Sequence, residues 1–546
     1  MPPMFTVLVA ARRNGFSRDW HGLPVQILAA ILIATMSAAP ALPQTVPSGA
    51  PTPKGAEQGT PEPEEVIPAE YARAANPVRR LPMAQTTHHE LTLGDRHLAF
   101  SATAGAITLT DPQDRPEADI AFVAYRLDGS DPDRRPVTFV VNGGPGASSA
   151  YLHLGALGPW LVPIDVNRIV PSQPVERIAN PDTWLAFTDL VFVDPVGTGF
   201  SRLVDPDDRL RGRYLSIDGD ADALSDFILR WLTDNDRLRA PKFFVGESYG
   251  GFRGPLVAER LQTDLGVALS GLILVSSVLD FGWWLQPEHA PLPTASLLPS
   301  LAATAMEAEG GFDPEQLKAI EDYADGPYVT DFLQGLSDEA AVARMVDRVT
   351  ELTGLDREIV ARADGRVDMD LFAREVFRDA GRSASIYDGT VAGTDPFPAS
   401  PGRRSADPVL DALTTPLTGA VLAHYRDTLD WLPDRRYLLL NAGVSQAWDW
   451  SEGRGQPEVV GALRRTLALD PGLRVLVVHG YTDLITPYFA SELILRQLPA
   501  DMQDRVQIQT YRGGHMFYMR EDSRSALRRD ARSLYFPHAN ESVPVR

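Results

Sequence analysis

The stretch "GESYG" at 246–250 sets a serine between two glycines, after the apolar run "KFFV" and before a helical pattern. A serine hydroxyl attacks a carbonyl only when a neighbouring base takes its proton. A tight strand-to-helix turn lifts such a serine to the carboxyl end of a strand, and glycines leave room for the strained backbone. Ser248 is therefore read as a nucleophile, and the N–H of Tyr249 as one donor to the oxyanion that its attack creates. A second glycine-rich turn, "NGGPGASSA" at 142–150, also follows an apolar run. Without side chains its amides can converge on one point, and the Gly144 N–H is read as the second donor. A phosphate-binding reading fails because no lysine follows the glycines. The dinucleotide pattern fails both here and at "VGTGFS".

The serine needs a base, and the base needs an orienting acid. Asp483 stands just past a strand pattern in "VLVVHGYTDLITP", and His515 on a glycine-rich loop in "VQIQTYRGGHMFY". The chain order Ser, Asp, His is the one expected after an elbow of this kind. His479 precedes the aspartate and breaks that order. His153 follows the glycine loop and is placed at the rim of the site, His424 lies in a helical region, and His538 is near the C-terminus. "HHELTLGDRH" does not have the spacing of a zinc-binding H-E-x-x-H, so no metal is expected, nor any organic cofactor. The set implies acyl transfer: His515 takes the Ser248 proton, Asp483 fixes the imidazole, and water releases the acyl group.

These residues must be carried by a scaffold. "HELTLGDRHLAFSATAGAITLTD" and "ADIAFVAYRL" alternate apolar and polar residues and read as antiparallel strands. "PVTFVV", "DLVFVD", "KFFV", "LILVSS", "YLLLNAG" and "RVLVVHG" are short apolar runs of the parallel, doubly buried kind. Helical patterns separate several of them, which predicts an α/β sheet. Strand signals fade over 281–435, where "SDEAAVARMVDRVTELTG" and its neighbours have helical spacing. That block is read as a mostly helical cap inserted between a first part at 85–280 and a second part at 436–546.

The 546 residues carry a formal charge of −21 and no cysteine. Disulfides, thiolate metal sites and a cysteine nucleophile are excluded. So acidic a chain is a poor partner for nucleic acid or anionic membranes. Arg12, Arg13 and Arg18 precede the apolar run "LPVQILAAILIATMSAA" and the small-residue site at 39–41, the layout of a signal peptide over 1–41. An uncleaved anchor is the competing reading, and the residues around Arg12-Arg13 fit twin-arginine export poorly. The expected product is exported to the periplasm or secreted, without stable membrane insertion. Residues 42–84, rich in Pro, Gly and Glu, read as a disordered leader.

"NGGPGASS", "VDPVGTGFS", "GESYGG", "GYTDLITP" and "GGHMFY" occur in the order and spacing of the serine carboxypeptidase-like family, and the sequence resembles its bacterial branch. The resemblance spans roughly residues 90–540. It implies an α/β-hydrolase fold, a mostly parallel central sheet flanked by helices with a mainly helical cap insertion. It also implies release of C-terminal amino acids from peptides. By position Asn142 and Glu247 would hold the substrate's C-terminal carboxylate, Glu247 by sharing a proton with it, which favours mildly acidic pH. On the residues alone, Glu247 reads rather as a solvated or strand-end charge with no role. Val140 stands where the family often carries a tryptophan that donates to the carboxylate, and Ala147 where it carries a cysteine. An aminopeptidase of the prolyl or tripeptidyl kind and an esterase or acyltransferase use the same scaffold. An inactive exported binding protein is a further alternative.

Overall fold

A computed structural model describes residues 80–537, apart from 95, 285–286, 401–405 and 452–455. The expected signal peptide, nearly all of the expected leader and His538 lie outside the described residues. Among the described residues the main sheet has ten strands, nine of them in one row: β1 (Gln85–Leu93), β2 (Arg96–Thr110), β3 (Pro116–Leu127), β4 (Val137–Val141), β5 (Asp189–Val193), β6 (Lys242–Glu247), β7 (Gly271–Val275), β8 (Arg474–Gly480) and β9 (Val506–Tyr511). Their spatial order is β1-β2-β3-β5-β4-β6-β7-β8-β9, and the two-residue strand Arg202–Leu203 pairs with β3. The pairs from β1 through β3 to β5 are antiparallel, and every pair from β5 to β9 is parallel. This is an α/β-hydrolase fold, with helices on both faces of a mostly parallel sheet.

The apolar runs explain the layering. β4, β5 and β7 are buried at every position, as strands covered on both faces must be. Alternate residues go to opposite faces. Val140, Val245, Ile273, Val275, Leu476 and Val478 pack on one face with Trp184 and Tyr535. Phe139, Val141, Phe244, Leu272, Leu274, Val475 and Val477 pack on the other, against the helices Ile217–Asp234 and Tyr249–Thr263. The edge strand β9 instead alternates in burial.

β7 and β8 are neighbours in the sheet, and the chain between them is largely helical, including Leu292–Ala308, Pro314–Tyr323, Glu339–Thr353 and Leu410–Asp427. Aspartates open several of its helices. The side chains of Asp313, Asp338, Asp356 and Asp368 each accept an N–H of the first turn. Gly354, at φ 67°, ends Glu339–Thr353 in the left-handed conformation that glycine favours.

Two readings of the sequence need correction. The run "YLLLNAG" is not a sheet strand. Leu438 and Leu440 form isolated antiparallel bridges to Gly199 and Ala147, and the helix Ala442–Ala447 follows. A short apolar run only signals burial, and here it is buried against loops. The last residues read as leader are also tied down. Arg80 pairs with Asp119 at 2.6 Å, and Trp431 Nε1 donates to the Met83 carbonyl at 3.0 Å. Among the described residues no helix is long and apolar enough to cross a membrane.

Candidate active site

β6 ends at Glu247 and the helix Tyr249–Thr263 begins two residues later, so Ser248 alone makes the turn. Its φ of 59° and ψ of −124° are a conformation that costs a non-glycine residue about 1–3 kcal/mol. Neighbours hold it there. Its N–H donates to the Val275 carbonyl at 2.8 Å, and its carbonyl accepts from the Gly251 N–H at 2.9 Å. A Cβ on Gly250 would lie 2.8 Å from the Val141 oxygen, so glycine is required for the elbow to dock on the end of β4.

The glycine loop meets the elbow backbone to backbone. A Cβ on Gly143 would stand 2.5 Å from the Tyr249 nitrogen and 2.6 Å from the Glu247 oxygen. Gly143, Gly144 and Ser248 line one cavity together with Asn142, Tyr151, Glu247, Tyr387, His515 and Met516. Three hydrogen bonds fix the loop. The buried Asp194 carboxylate accepts the Ser149 N–H at 2.9 Å. On the other side Asn441 N–H donates to the Gly146 carbonyl at 2.8 Å, and Ser445 Oγ to the Pro145 carbonyl at 2.6 Å. The "YLLLNAG" segment therefore acts as a clasp on this loop.

Asp483 and His515 follow β8 and β9, on the same sheet edge as Ser248. His515 Nδ1 lies 2.8 Å from Asp483 Oδ2, and both residues are buried. Asp483 also accepts the N–H groups of Ile485 and Thr486 at 3.0 and 2.9 Å, and the Thr486 hydroxyl at 2.5 Å. With Nδ1 engaged, Nε2 is the ring nitrogen left for a serine in the shared cavity. Burial opposes a charge on His515, but Asp483, by charge and hydrogen bond, and Glu247, by charge, outweigh it and raise its pKa above the usual 6.5. The loop is anchored at its backbone. Ser276 Oγ donates to the His515 carbonyl at 2.8 Å, and the His515 N–H donates to the Tyr387 carbonyl at 2.5 Å.

Glu247 is buried, which removes the reading of a solvated strand-end charge. Asn142 Nδ2 donates to its Oε2, and the Tyr518 hydroxyl donates to Oε1 at 2.7 Å. The Leu152 N–H donates to Asn142 Oδ1 at 3.1 Å and so decides which way that amide faces. Burial pushes the Glu247 pKa from 4.5 up to about 7, against the lowering effects of His515 and the Tyr518 hydrogen bond. Below that value the group is an acid able to donate a proton. Behind the pair, the buried Arg253 donates to the Asn142 carbonyl at 2.6 Å and pairs with Asp220 at 2.6 Å.

The other histidines are spent elsewhere. His153 is not at the rim of the site. It stacks on Phe192, and its Nε2 meets the Tyr125 hydroxyl at 2.7 Å. His424 Nε2 meets that same hydroxyl, and His479 Nε2 meets Ser491. Burial holds His153 near 3 and His479 near 4, so both stay neutral. Val140 faces the core between Phe192 and Val245 and offers no polar atom. Among the described residues no group of acidic or histidine side chains could hold a metal ion. Sequence reasoning missed Thr486, Ser276, Tyr387, Arg253 and Tyr518, because a lone hydroxyl, ring or arginine near a motif carries no pattern of its own.

Residues 100–280 match the family model described as serine carboxypeptidase. The pheromone-processing carboxypeptidase KEX1 of Komagataella phaffii is 33% identical over 172 residues, 30% of this chain and 25% of that protein. Serine carboxypeptidase-like 13 of Arabidopsis thaliana is 30% identical over 167 residues, 29% of this chain and 36% of that protein. The matched stretch thus spans only a quarter to about a third of these relatives. Among solved structures, proline iminopeptidase from Mycobacterium smegmatis aligns with 82% of this chain and 98% of its own, at 13% identity and a TM-score of 0.33. Esterase E22 aligns with 83% and 100%, at 11% identity and a TM-score of 0.35. The matched stretch, residues 100–280, holds both the glycine loop and the elbow, and there the chain is similar to serine carboxypeptidases.

Proposed function

We propose that the protein is a serine-type carboxypeptidase that removes amino acids from the C-termini of peptides. The observation that carries this reading is the buried Asn142–Glu247 pair in the cavity that holds Ser248 and His515. A C-terminal carboxylate brought there would accept a hydrogen bond from the protonated Glu247, and the last peptide carbonyl would lie over the elbow. His515 then takes the Ser248 proton as Oγ attacks that carbonyl. The Gly144 and Tyr249 amides take up the oxyanion. The C–N bond breaks, and His515 gives the proton to the departing amine. Water, deprotonated in turn by His515, cleaves the acyl ester and restores Ser248. Asp483 holds the imidazole by its Nδ1 throughout.

A carboxylate pressed against Glu247 favours its protonated form. Peptide hydrolysis therefore declines as pH rises past about 7, where Glu247 ionises. The reading is tested with one peptide in three forms: free, N-acetylated and C-terminally amidated. Loss of cleavage on amidation alone supports it. Loss on acetylation alone points to an aminopeptidase and overturns it, as would turnover of acyl esters with none of any peptide. Ser248→Ala should lower turnover by about 10⁶-fold, measured as single-turnover product release. Export is part of the proposal: the N-terminus of the secreted protein should be Leu42, read by Edman sequencing.

A further inference from the structure

Glu247 has two carboxyl oxygens, and each already has one donor: the Asn142 amide on Oε2 and the Tyr518 hydroxyl on Oε1. Two donors on opposite oxygens fix the plane of a carboxyl group, which one donor does not. Tyr518 is itself immobile. It is fully buried in the short turn Phe517–Met519, and its ring lies against Gly155, where a Cβ would be 3.4 Å from Tyr518 Cε2. That turn starts two residues after His515, so one loop carries the candidate base and the donor to the candidate acid.

We infer that Tyr518 is a positioning residue for exopeptidase recognition: its hydroxyl sets the Glu247 carboxyl so that the acid faces a peptide's C-terminal carboxylate. The inference rests on the reading of Glu247 given above. The groups that act on Glu247 are His515 and Tyr518 from the histidine loop and Asp483 from the loop after β8. Tyr151, on the turn after the glycine loop, and Tyr387, from the segment between β7 and β8, share its cavity. Burial raises the Tyr518 hydroxyl well above its usual pKa, so it stays a donor through the working range. Its hydrogen bond lowers the Glu247 pKa, so losing it lets Glu247 keep its proton to higher pH.

Tyr518→Phe keeps the ring on Gly155 and deletes only the hydroxyl. The test compares an N-blocked dipeptide with a free carboxylate against an N-blocked amino-acid ethyl ester that has none. Deletion should lower kcat/KM for the dipeptide by up to about tenfold, chiefly through KM, the scale of one hydrogen bond to a neutral group. The ester should change less than twofold, and the alkaline limb for the dipeptide should move to higher pH. 3-Fluorotyrosine placed at position 518 keeps the packing but is the stronger donor, and should move that limb to lower pH. Equal losses on both substrates, or alkaline limbs that stay put in both variants, would overturn the role. Glu247→Gln separates the two layers. If it leaves the ratio of dipeptide to ester turnover unchanged, the reading of Glu247 fails. If it collapses that ratio while both Tyr518 variants behave as wild type, only the role of Tyr518 fails.

Discussion

Asp483 and Glu247 are both buried carboxyl groups that bear on His515, yet the chain supplies them differently. Asp483 receives two backbone amides, a threonine hydroxyl and the imidazole. Glu247 receives one amide and one phenol, and its pKa climbs to about 7. Burial penalises a negative charge wherever it is, and hydrogen-bond donors offset the penalty. Four donors offset much of the cost of burying a carboxylate. Two donors offset less of that penalty, and Glu247 keeps its proton to higher pH. The supply of donors thus sets two carboxyl groups of one site apart.

Removing the charge of Asp483 should have the larger effect. Asp483→Asn offers His515 Nδ1 an amide in place of a carboxylate, which disfavours the tautomer with its lone pair on Nε2. Turnover should fall by about 10⁴-fold, and by the same factor for peptide and ester, because both need the base. A loss confined to peptides would mean that Asp483 serves recognition rather than proton transfer, and the contrast between the two carboxyl groups would collapse.

Glu247→Gln should have an intermediate and selective effect. The glutamine amide donates at every pH, so the alkaline limb seen with free C-terminal peptides should disappear and the optimum should rise. At pH 6 the peptide kcat/KM should fall about tenfold, since a neutral amide is a weaker donor to a carboxylate than a carboxylic acid. The ester should be nearly unaffected. Stability gives an independent reading. The folded-state pKa lies above the unfolded value of 4.5, so the folded state holds its proton more tightly and loses relative stability as pH rises from 4.5 through about 7. Thermal melts of the glutamine variant should lose that part of the decline. A variant whose melting temperature tracks the wild type across this window would show that Glu247 does not titrate there.

The two carboxyl groups were also unequally legible in the sequence. Ser248, Asp483 and His515 could be placed because the elbow has a pattern and the fold fixes the chain order. The parallel core was legible because doubly buried strands such as β4 and β7 are apolar at every position. Glu247 could be assigned only through family resemblance, since a glutamate beside a serine has no signature of its own. Its burial and its donor Tyr518 depend on a turn 271 residues away. The same limit explains the "YLLLNAG" segment. Four apolar residues announce burial, but only the assembled glycine loop shows that Asn441 and Ser445 behind them clasp Gly146 and Pro145, and that the run does not extend the sheet.

The smallest expected effect tests whether the donors around Asp483 matter one by one. The Thr486 hydroxyl donates to Asp483 Oδ2 at 2.5 Å and lies 3.0 Å from His515 Nδ1, the same oxygen and nitrogen that bond each other. Thr486→Val keeps the branched shape and removes that one donor, leaving the amides of Ile485 and Thr486 in place. With three other donors left on Asp483 the loss should be that of a modest hydrogen bond, about 0.5–1.5 kcal/mol, so kcat should fall roughly 2- to 10-fold. Peptide and ester should suffer alike, and the alkaline limb assigned to Glu247 should stay where it is. Should the valine variant instead shift that limb while sparing the ester, Asp483 and Glu247 would be parts of one shared proton network. The division of labour drawn from their donor counts would then have to be given up.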